Sequence, residues 1–186
     1  MALSRDPVAN SIRRNMIEPI RLLIEHHYGA AAAILILAGI DAMANIARPE
    51  SADHSTPDDF KCWVRQYFHL TGDTEITPDE WWAARNAIIH TFGVYSLQHR
   101  SSELRILGWY YDIDTGDRQI LYDWRHSEMV LVDVGGMFRA FVAGVDRFLE
   151  DARAVPEREA LIHGRLNELL MHFPFPPDTN RTEQRR

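Results

Sequence analysis

The 186 residues are 46% hydrophobic and 25% charged, a balance that fits one soluble globular domain and excludes fibrous, collagen-like and wholly disordered classes. With 27 acidic against 20 basic residues the formal net charge is −7, so bulk attraction to a polyanion is excluded and any nucleic-acid contact must rest on local basic groups. Cys62, the only cysteine, leaves no internal disulfide, and Met1 to Asp6 carries no apolar leader, so a cytoplasmic protein is expected.

From Val8 to Arg48 the apolar residues recur at helical spacing, Ile12, Met16, Ile20, Leu23 and Ile24 before Tyr28, then Ile34 through Met43. Two helices joined near Tyr28-Gly29 are expected, with a kink or restart at Pro19, which lacks a backbone donor and crowds the preceding turn. The apolar run from Gly29 to Ile40 is shorter than the roughly 20 residues that span a bilayer. Asp41 closes it, which predicts a buried core helix and no membrane partner.

Thr56-Pro57-Asp58-Asp59 and Thr77-Pro78-Asp79-Glu80 each set a capping hydroxyl before proline and acids in the first turn. They predict helices over about Pro57 to Leu70 and Pro78 to Tyr95. After Ser96 the period changes to two: the runs Leu104 to Tyr111 and Ile120 to Trp124 predict an antiparallel hairpin closed by Asp112 to Asp117, with Met129 to Val132 as a third short strand. Asp133 is placed to cap a helix from about Gly135 to Ala152, and a last helix is expected over Pro156 to Phe173. A single domain, 1–173, and a polar, disordered tail, 174–186, complete the layout.

Arg85-Asn86-Ala87-Ile88-Ile89-His90 falls on the helix that Pro78 starts. At about 100° per residue Asn86 and His90 share a face, and Arg85 flanks it. Such a trio suits RNA cleavage: the imidazole exchanges a proton with a ribose 2′-hydroxyl or the leaving oxygen, the guanidinium holds the phosphate, and the amide orients either. A purely structural reading has the same side chains hydrogen-bonding neighbouring helices, with the Asp41 carboxylate as partner.

The hexapeptide resembles the R-N-x-x-x-H signature of HEPN domains, and a looser similarity to uncharacterised bacterial members runs from about Tyr28 to Leu149. The resemblance implies a mainly α fold, a HEPN-like helical bundle with a small antiparallel β-hairpin or three-stranded insertion. It implies a homodimer in which two motifs meet and a metal-independent RNA endonuclease without a cofactor, of the kind found among toxins and defence components, with RNA as substrate and an antitoxin or other protein as partner. Arg85, Asn86 and His90 are the only positions carried over. The strand insertion departs from the plain four-helix pattern and leaves a second reading open, a non-catalytic dimeric interaction or nucleotide-binding module.

Other features are weaker. His26-His27 are adjacent, which is poor metal-ligand spacing, and His163 and His172 are expected on the surface, whereas His126 lies near enough in sequence to the strands to approach the motif helix. Trp81-Trp82, Trp109, Tyr110-Tyr111 and Trp124 suit base stacking, but core or interface packing is the commoner use. Arg100 and Arg105 form the best local basic stretch. Asp112, Asp114, Thr115 and Asp117 miss the glycine and closing glutamate of a calcium-binding EF-hand, so a turn suffices.

Overall fold

Prolines and capping side chains set the helix starts. The structure, a computed structural model, describes residues 6–72, 75–91, 93–94, 96, 104–110, 119–124 and 127–165. Helix α1 (Pro7–Ile12) begins where the Asp6 carboxylate accepts the Val8 and Ala9 backbone N–H groups at 2.9 and 3.2 Å. It passes through a π-helical turn (Arg13–Ile17) into α2 (Glu18–Glu25). The expected kink at Pro19 takes this form: a proline ring crowds the carbonyl four residues back and donates nothing, and the chain widens the turn ahead of it, with Glu18 N–H reaching back to Arg13 O.

The two adjacent histidines close α2. Tyr28 N–H donates to Leu23 O and His27 N–H to Ile24 O, with His27 at φ 62°, the left-handed position that glycine usually fills. The exposed pair is a helix stop.

Next come α3 (Gly29–Ala47) and α4 (Pro57–Tyr67), the latter opened by a reciprocal cap between Thr56 and Asp59. Then follow α5 (Pro78–Thr91), β1 (Ile106–Tyr110), β2 (Gln119–Trp124) and β3 (Ser127–Asp133). Helices α6 (Val134–Arg153) and α7 (Pro156–Gly164) end the described chain. Asp133 caps α6 as expected, accepting from Gly135 and Gly136 N–H at 3.0 and 2.8 Å. Helix α4 stops at Tyr67 and α5 at Thr91, each short of the expected end; Phe68 leaves helical geometry, and Gly93 follows α5. Helix α7 is described only to Gly164, and the remainder of the expected last helix, with the tail, lies outside the described residues.

Helix α3 is central, packing on α2, α4, α5, α6 and β1 and burying Ile36, Leu37, Ile40, Met43 and Ile46. Its 19 residues have a mean hydropathy of 1.9 over the most apolar 18, long and apolar enough to cross a membrane, and half of that window is buried within the fold. A Cβ on Gly39 would stand 2.6 Å from Phe141 Cζ of α6, so this glycine sets how closely the two helices approach. One contiguous apolar core joins the seven described helices with β1 and β3. At its far end the buried guanidinium of Arg165 donates to Ile46 O, Arg48 O and Pro49 O, satisfying carbonyls that the end of α3 leaves open.

The sheet corrects the expected topology. Its order is β1-β3-β2: β1 runs parallel to β3, with Ile106 opposite Met129 and Tyr110 opposite Asp133, while β2 runs antiparallel to β3, with Gln119 opposite Val132. The hairpin expected between the first two strands does not form; β3, expected as a third short strand, is the middle one. Its unbroken Met129-Val130-Leu131-Val132 run suits a strand paired on both edges. The segment Asp112 to Asp117, proposed as the hairpin turn, lies outside the described residues, as do Arg100, His126 and His172.

Candidate active site

Helix α5 starts from a second reciprocal cap: Thr77 N–H donates to Glu80 Oε2 at 2.7 Å and Glu80 N–H to Thr77 Oγ1 at 3.2 Å. Its inner face is apolar, with Trp81, Ala84 and Ile88 buried, and its other face carries Trp82, Arg85, Asn86 and Ile89 half-buried and His90 exposed. Trp82, Asn86 and His90 follow one another by one turn, with Arg85 beside Asn86, so the helical period alone brings these side chains to one stripe.

The structure brings together the three side chains singled out by sequence. Arg85 Nη1 donates to Asn86 Oδ1 at 2.9 Å and lies 3.3 Å from His90 Nε2. A guanidinium only donates, so a hydrogen bond across this contact requires Nε2 as acceptor, with the proton of a neutral imidazole on Nδ1. Across the interhelix seam Arg85 Nε and Nη2 both reach Asp41 Oδ2 of α3 at 2.6 Å. The Asp41 partner of the structural reading is therefore present as well. Burial pushes the Asp41 carboxyl above its ordinary range, outweighing the Arg85 hydrogen bond and charge that pull it down.

Sequence favours packing over base stacking for Trp81 and Trp82 alike, and the structure separates the two: Trp81 is buried against Phe68 and Trp109, whereas the Arg85 guanidinium lies 5.1 Å over the Trp82 ring and Phe60 meets that ring edge-on at 5.3 Å. The signal for Trp82 was its place one turn before Asn86. Trp82, Phe60, Arg85 and Asp41 line an open groove of about 340 Å³, completed by Asn45 of α3 and Ser55 to Pro57 at the start of α4.

The candidate basic stretch is not a phosphate track where it is described. Arg105 donates through Nε to Glu80 Oε1 at 2.6 Å and through Nη2 to Glu80 Oε2 at 2.9 Å. Burial would raise the Glu80 carboxyl, but Arg105 and the Thr77 backbone N–H hold it below its ordinary range. His163 stands partly exposed, 3.6 Å from Asp6. Among the described residues no group of three His, Cys, Asp or Glu side chains is placed to hold a metal ion.

Comparison of the chain with protein-family models, with curated proteins and with solved structures found no match to any of them.

Proposed function

We propose that the chain is a HEPN-like, homodimeric RNA endonuclease that needs no metal, acting in the cytoplasm as a toxin or defence component held in check by a protein partner. One observation carries the reading: an exposed His90 whose Nε2 lone pair faces a guanidinium anchored from behind by Asp41, with Asn86 on the same Nη1. A phosphate arriving at Arg85 would take up Nη1 and free the His90 lone pair. The imidazole then accepts the ribose 2′-hydroxyl proton, the 2′-oxygen attacks phosphorus, and the P–O5′ bond breaks as the leaving oxygen gains a proton from His90 of the second copy. The products are a 2′,3′-cyclic phosphate and a 5′-hydroxyl.

Purified protein incubated with RNA in excess chelator tests this. Wild type is expected to cut, and Arg85→Ala and His90→Ala each to lower the rate by about a hundredfold or more. Intact RNA with wild type, or equal cutting by both variants, sinks the reading.

The engagement of Arg85 Nε and Nη2 by Asp41 Oδ2 favours a second reading, a non-catalytic HEPN-like module in which the cluster stabilises a dimer or binds a nucleotide. Under it wild type leaves RNA intact, while Arg85→Ala weakens self-association or nucleotide binding.

A further inference from the structure

The groove beside Arg85 has a chemistry of its own, apart from the Asn86 and His90 end of the stripe. Its volume of about 340 Å³ sits at the lower end of the roughly 300 to 1,000 Å³ spanned by small-ligand sites. The half-buried ring of Trp82 lines it, backed edge-on by the fully buried Phe60, and an aromatic ring offers a stacking surface to bases of any sequence. What would discriminate among bases is Asp41. Both Arg85 contacts fall on its Oδ2, and Oδ1 has no hydrogen-bond partner among the described residues. A carboxylate oxygen held there accepts and does not donate.

We propose that this groove is a nucleobase subsite that selects bases bearing an exocyclic amine, adenine, cytosine or guanine, over uracil, with Asp41 Oδ1 as the acceptor. Adenine N6, cytosine N4 and guanine N2 each present a donor to such an oxygen. Uracil offers one ring N–H flanked by two carbonyl oxygens, which the carboxylate repels. The spacing suits a nucleotide: Asn86 and His90 lie one and two turns beyond Trp82, at about 6 Å of axial rise per step, so the imidazole stands about two turns along α5 from a base against Trp82. The proposal rests on the RNA reading above and adds to it the class of base that is read.

The test measures binding and cutting separately. Labelled hexamers of adenosine, cytidine and uridine are titrated by fluorescence anisotropy in chelator against wild type and Asp41→Asn. A mixed-sequence RNA is cut in parallel and its ends are mapped. Asp41→Asn keeps a carbonyl oxygen for Arg85 and replaces the other oxygen by a donor. Wild type is expected to bind the adenosine and cytidine hexamers about tenfold more tightly than uridine, and Asp41→Asn to erase or invert that order. Trp82→Leu, which leaves Asp41 in place, is expected to weaken the two preferred hexamers by a similar factor, so a failure of Asp41→Asn to fold leaves a second check. Equal affinities in wild type, an unchanged order in Asp41→Asn, or no binding at all overturns the subsite. Selective, Asp41-dependent binding without cleavage overturns the nuclease reading and keeps the subsite; cleavage without base preference does the reverse.

Discussion

Arg85 of α5 and Asp41 of α3, 44 residues apart in sequence, meet at 2.6 Å through two guanidinium nitrogens and one carboxylate oxygen. Both side chains are largely enclosed, at 20% and 28% exposure, so the pair is a link between two core helices as well as the support of the candidate site. Removing either partner leaves the other charge half-buried without its counterion.

Asp41→Ala and Arg85→Ala are therefore each expected to lower stability by about 1.5 to 3 kcal/mol, with the double variant losing less than the sum. Urea unfolding of the four proteins of the cycle measures the coupling. Strict additivity would show that the contact contributes nothing.

Opposite pH responses are expected at the two buried carboxylates. Glu80 is held below its ordinary value of 4.5, so its stabilisation is present above that pH and fades as the pH falls through the lowered value. Glu80→Gln should thus cost most near neutrality and progressively less in acid. Asp41 is raised above its ordinary 3.8, so the extra stability that its protonated form confers is full below that pH and is lost as the pH rises through the raised value, whatever the ionised form keeps through Arg85. The stability of Asp41→Asn relative to wild type should improve from acid to neutral pH, and melting midpoints across that range read both slopes.

Gly144 of α6 has backbone in front of it: a Cβ there would lie 2.6 Å from Tyr67 O, which Arg147 Nη2 already holds at 2.6 Å. Gly144→Ala should destabilise by about 1 to 3 kcal/mol, overriding the gain of up to about 1 kcal/mol that alanine brings to a helix. A Cβ on Gly164 of α7 would meet nothing within 4 Å among the described residues, and Gly164→Ala should be neutral or stabilising. The denaturation midpoint is expected to fall for Gly144→Ala and to hold or rise for Gly164→Ala.

His27, at φ 62°, holds a conformation that costs a side chain energy and glycine none. His27→Gly should raise stability by about 0.5 to 1 kcal/mol and leave nuclease activity as it is, since the corner lies between α2 and α3 and outside the candidate site. A fall in the melting midpoint would mean that the imidazole makes a contact worth more than the backbone strain.

Local physics was legible in the sequence. The caps at Thr56, Thr77 and Asp133, the restart around Pro19 and the gathering of Arg85, Asn86 and His90 each depend on residues within about two turns of one another, where helical geometry fixes who meets whom. The parts decided by tertiary structure involve partners distant in the chain. Alternation marks strands but does not say which edge pairs with which, so β1 took β3 in parallel instead of its neighbour in sequence. Trp81 and Trp82 are the same residue type side by side, and only the packing of α4 and α3 around α5 buried one and left the other against a groove. Sequence offers Asp41, at the end of the apolar run, as a partner for the motif side chains; which of them it meets, Arg85, is decided by α3 and α5 packing with those two positions face to face.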